Sequence, residues 1–127
     1  MRVITLGTSL AGVLMAGHVA AAEAPAFEGY WTRNAAWCVN AGHPGEESPD
    51  WYGRDGLFGL EWSCDLDQLT PTGVGQSWAL QMTCLDAGYE YKQSQIFLLT
   101  REDRLLILDE AGVQSNMVRC PQSEKVE

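Results

Sequence analysis

The chain has 127 residues, and its 17 acidic side chains outnumber 8 basic ones, for a formal net charge of −9. Nucleic acid and anionic lipid are poor partners for such a surface, because both bind through basic patches. A basic protein or a small cation is attracted instead.

The first 22 residues read as a secretory signal peptide. Arg2 supplies a short positive region, residues 3–16 are apolar and uncharged, and Ala20 and Ala22 stand where a signal peptidase reads small residues. The apolar run of 14 residues falls short of the roughly 20 that a spanning helix needs. Cysteine is missing near the cut, so a lipid anchor is not expected either. Cleavage after Ala22 leaves one domain, residues 23–127, with a charge near −10 and a periplasmic or secreted address.

Within that domain the expected elements are strands. Residues 27–32 form the first. Residues 39–56, rich in Gly, Pro, Asn, Asp and Glu, read as one long loop. Residues 60–66 alternate apolar and polar, and residues 78–84 nearly do, which marks half-buried strands. Turn residues at 71–75 make the two a hairpin. Further strands follow at 89–100, 104–109 and 113–120, separated by turns at 86–88, 102–103 and 111–112. The sum is an all-β antiparallel meander, closed or partly closed into a small barrel, with a two-sheet sandwich as the alternative. Closure is preferred because it removes exposed strand edges.

Four cysteines, Cys38, Cys64, Cys84 and Cys120, remain in an exported chain, so disulfides are expected. They allow three pairings. Cys64 and Cys84 share the inward face of the hairpin strands with Trp62 and Trp78 and fall close to opposite one another. Cys64–Cys84 is therefore favoured, which leaves Cys38–Cys120; the rival is Cys38–Cys64 with Cys84–Cys120. Spacings of 26, 20 and 36 residues do not suit structural zinc, and there is no C-x-x-C redox pair.

Catalytic signatures are missing. His43 is the single histidine after the signal and sits in the polar loop without a nucleophile motif. Glu61, Asp65 and Asp67 lie on the polar face of a strand, where solvated charge is expected. Asp50 and Asp55 flank Gly53, but their spacing does not match a calcium loop. No cofactor or metal is expected. The remaining signal is aromatic. Tyr30, Trp31, Trp37, Trp51 and Tyr52 fall on the first strand and the long loop, where they either close the core or form a binding surface; Tyr30, Trp31, Trp51 and Tyr52 are the binding candidates.

Gly29-Tyr30-Trp31, Glu61 with Cys64, Trp78 with Cys84, and the closing Val118-Arg119-Cys120 resemble a group of small exported alphaproteobacterial proteins. The resemblance implies a cysteine-bonded β fold and no characterised activity. Gly29 to Trp31 followed by Cys38, with residues 106–112 near the end, is similar to periplasmic metalloprotease inhibitors of the eight-stranded barrel type. That similarity implies inhibition through an N-terminal segment, here residues 23–27. The functional expectation is a non-enzymatic binding protein of unknown ligand, with a protein such as a secreted hydrolase as one candidate partner. The alternatives are a small carboxylate-dependent hydrolase and a structural envelope component.

Overall fold

The computed structural model describes residues 23–43 and 45–126, together with residues 7 and 12. The expected signal peptide otherwise lies outside the described residues. Eight strands close into one barrel: β1 (Gly29–Thr32), β2 (Asp50–Gly53), β3 (Gly56–Gly59), β4 (Trp62–Pro71), β5 (Gln76–Asp86), β6 (Tyr89–Leu99), β7 (Arg104–Asp109) and β8 (Gln114–Arg119). Each strand pairs antiparallel with the next, and β1 pairs with β8 through Trp31–Arg119 and Thr32–Val118 to complete the ring. A short 3-10 helix, Ala35–Asn40, lies in the β1–β2 connection, and the Asn34 side chain caps it by accepting from Ala36 N. No helix among the described residues is long and apolar enough to cross a membrane.

The meander, its closure and all three turns after residue 85 match the sequence expectation. The long loop does not. Residues 50–59 form the β2–β3 hairpin, with Arg54 and Asp55 as its two-residue turn. Its turn-forming composition hides two strands of four residues each. Their polarity hides them as well. Side chains alternate inside and outside the barrel, yet most of β2 and β3 is covered on both faces, so neither strand alternates apolar with polar. The expected strand at 60–66 begins only at Trp62, because residues 60 and 61 form the turn from β3, and it runs on to Pro71. A bulge between Leu66 and Gln68 shifts the register, so the simple alternation ends there while the pairing continues to Pro71–Trp78.

The interior is filled by Phe27, Trp31, Tyr52, Leu57, Cys64, Leu80, Met82, Cys84, Phe97, Leu105, Ile107 and Met117. Cys64 and Cys84 are direct register partners and form one disulfide. The second, Cys38–Cys120, ties the 3-10 helix to the end of β8 across 82 residues. Both match the favoured pairing. Cys38 and Cys120 join Tyr30, Ala41 and Trp51 in a smaller cluster outside β1 and β2.

Candidate functional site

The two ends of the barrel are built differently. At one end Phe27 enters ahead of β1. Its ring is fully buried and meets Trp78 and Phe97 edge-on, with centroids 5.0 Å apart in both pairs. Trp31 Nε1 donates to the Phe27 carbonyl at 2.7 Å. Arg119, the last residue of β8, holds the same segment in place. Its Nη1 donates to Glu28 O and its Nη2 to Ala26 O, each at 2.8 Å, while Nε donates to the Asp103 carboxylate. Its guanidinium carbon lies 4.4 Å from the centre of the Trp31 ring. Gly29 permits this approach: it has a φ of +157°, and a Cβ there would stand 2.9 Å from Arg119 Nη1.

The opposite end is open, and a cavity of about 490 Å³ occupies it. The inward-facing positions become more polar toward this mouth. β2 passes from Tyr52 to Asp50, β6 from Phe97 through Gln95 and Gln93 to Tyr91, and β8 from Met117 to Ser115. On β5 the series Met82, Cys84 ends at Asp86. Asp50, Tyr52, Asp86, Tyr91, Gln93, Gln95, Ser115 and Met117 all line the cavity. The β1–β2 connection adds Arg33, Trp37 and Glu46, and β4 adds Trp62. Gly59 leaves room for the Trp62 indole, since any Cβ there would collide with it.

The electrostatics of the mouth centre on Asp50. It shares an inward face with Tyr52, whose hydroxyl donates to Asp50 Oδ2 at 3.3 Å. Burial raises the Asp50 carboxyl to about 6, against the opposing influence of the Tyr52 hydrogen bond and the nearby Arg33 charge. Burial and the neighbouring carboxylate also push the Tyr52 phenol well above its ordinary value, so it stays a neutral donor. Arg33 Nη2 reaches the Ser115 hydroxyl at 3.2 Å. Gln93 Oε1 lies 3.8 Å from Cys84 Sγ, but a half-cystine has no proton to donate, so that contact is only van der Waals. The arrangement offers one partly buried carboxylate acceptor, neutral amide and hydroxyl groups, and aromatic walls.

The four aromatic residues singled out from sequence separate into two pairs. Trp31 and Tyr52 face inward and border the cavity. Tyr30 and Trp51 face outward and stack edge to face at 5.0 Å. None is more than 6% exposed, so they do not form the open aromatic surface that a loop position implied. The cause is the hairpin in place of the loop. Tyr30 and Trp51 instead border a smaller pocket of about 270 Å³ with Phe58, the exposed His43 and the C-terminal residues Lys125 and Val126.

Asp50 and Asp55 end up facing different surroundings. Asp50 is in the mouth, whereas Asp55, at the β2–β3 turn, accepts from Trp51 Nε1 and pairs with Lys125. Asp67 sits at the bulge, where Thr83 and Lys92 hold its carboxyl below the usual range. Glu61 turns the chain between β3 and β4 with a φ of 60°, and Asp65 is exposed. These three carboxylates do not line the cavity. Sequence reasoning missed Gln93, Gln95, Asp86 and Ser115. The available signal was the polar end of each inward-facing series, which becomes visible once strand parity is fixed. Comparison with protein-family models, curated proteins and solved structures finds no match.

Proposed function

We propose that this is a non-enzymatic binding protein of the periplasm or the extracellular space, and that it holds a small organic ligand in the open mouth of its barrel. The observation that carries this reading is the contrast between the plugged end and a cavity of about 490 Å³ with a graded lining. An eight-stranded barrel has room for one small ligand, and cavities of roughly 300–1,000 Å³ are typical of such sites. Two disulfides support the exported address. A protein partner such as a hydrolase has less support. Phe27 is committed as the plug, which leaves only the start of the 23–27 segment to reach outward, and the four aromatic candidates are buried.

The test is a thermal-shift and native mass spectrometry screen with a soluble library of small aromatic and aliphatic compounds. Gln95→Trp, which fills the cavity from β6, serves as the control. Binding by the natural protein but not by Gln95→Trp supports the reading. Equal binding by both, or none by the natural protein, overturns it. Asp50, Asp86 and Glu46 in one cleft favour a second reading, a carboxylate-dependent hydrolase. Turnover of a bound compound that disappears in Asp50→Asn, with binding retained, would select it.

A further inference from the structure

Resting on the cavity reading above, we propose that the mouth selects an organic cation, an amine or quaternary ammonium carrying an apolar group. Three carboxylates border the cavity, Glu46, Asp50 and Asp86, against one guanidinium, Arg33. Asp50 is partly buried, where its field is less screened than at an open surface. The whole chain carries a net charge of −9, so the potential over the mouth draws cations toward it. Negative charge alone would suit any cation, including a hydrated metal ion. The walls narrow the choice.

Aromatic side chains form much of those walls, among them Trp37, Trp62 and Tyr91. Ring faces attract alkylated ammonium groups, which shed water far more readily than a bare metal ion. The described residues already use this attraction twice, in the Arg119 guanidinium lying 4.4 Å from the Trp31 ring centre and in Lys125 Nζ lying 3.8 Å from the Phe58 ring centre. The amides of Gln93 and Gln95 add dipoles that can turn their oxygens toward a cation. An organic anion would meet a carboxylate majority and only one positive group. A neutral apolar compound would take water from Asp50 without adding a charged partner to the Tyr52 hydrogen bond it already has, which is unfavourable. A cation supplies that partner and competes with Arg33 for it.

The experiment uses three compounds of matched shape: benzyltrimethylammonium, its neutral carbon isostere neopentylbenzene, and the anion benzylsulfonate. Each is titrated into the protein at pH 7.5, where Asp50 is largely ionised, with tryptophan fluorescence and calorimetry as readouts. The expected result is that the cation binds about tenfold or more tightly than the neutral isostere, with the anion weakest. Asp50→Asn should erase most of that preference, and Arg33→Gln should enlarge it. Equal affinity for cation and isostere, or preference for the anion, overturns the inference but leaves the cavity reading standing. Failure of all three to bind, with every compound of the wider screen also silent, overturns both.

Discussion

The two ends of this barrel share the same strands and the same disulfides, yet one is filled and internally bonded and the other stays open around a cavity. The plugged end satisfies its groups internally. Phe27 fills the bore, Trp31 bonds its carbonyl, and Arg119 ties two further carbonyls and Asp103 into one assembly. The open end leaves a carboxyl raised to about 6, two glutamines and several rings around an empty volume. A fold gains nothing by placing a poorly solvated carboxyl beside a cavity. That arrangement fits a ligand site, where local stability is given up for interactions with something else.

Mutations at the two ends should therefore act in opposite directions. The largest effect is expected for Phe27→Ala, which empties the plug. It should destabilise by about 3–5 kcal/mol in a denaturant titration. A loss below about 1 kcal/mol would mean that the closed end is not structural. Arg119→Met keeps some coverage of Trp31 but removes the guanidinium bonds, and about 2–3 kcal/mol should be lost. Proteolysis should then begin at the N-terminal segment.

The smallest effect, and the one with the reversed sign, belongs to the mouth. The Asp50 carboxyl is raised in the folded state from an ordinary value of 3.8 to about 6. The folded protein therefore binds the Asp50 proton more tightly than the unfolded chain does. This group's contribution to stability is complete below pH 4 and is lost as pH rises through 6. Asp50→Asn should accordingly raise stability at pH 7.5 by about 1–2 kcal/mol and change it little at pH 4. Melting temperatures across pH 4–8 would show it. A destabilised Asp50→Asn at pH 7.5 would place Asp50 in the structural part of the molecule and blur the distinction between the ends.

Sequence patterning reached the scaffold further than the site. Period-two alternation located parts of β4 and β5, which have one covered face and one wetter face, while β6 to β8 were marked by the turn residues between them. The same parity placed Cys64 opposite Cys84, and elimination then gave Cys38–Cys120. The β2–β3 hairpin was illegible for a definite reason. Trp51 packs into the outer cluster while Tyr52 packs into the bore, so both alternating sets are apolar. Such a segment looks like an aromatic loop until its pairing is known. Gln93 and Gln95 read only as polar positions within a strand, since nothing local distinguishes a mouth-facing amide from a solvated one.

By itself, the sequence determined the all-β class, the succession of strands from β4 to β8, the favoured disulfides and the acidic balance. These rest on local periodicity, turn chemistry and counting, which need no distant partner. Tertiary structure alone decided that β1 meets β8, that Phe27 closes one end, and that Asp50, Asp86, Gln93 and Ser115 surround one volume at the other. Those residues come from four strands separated along the chain. Only closure of the ring brings their inward faces to a common rim.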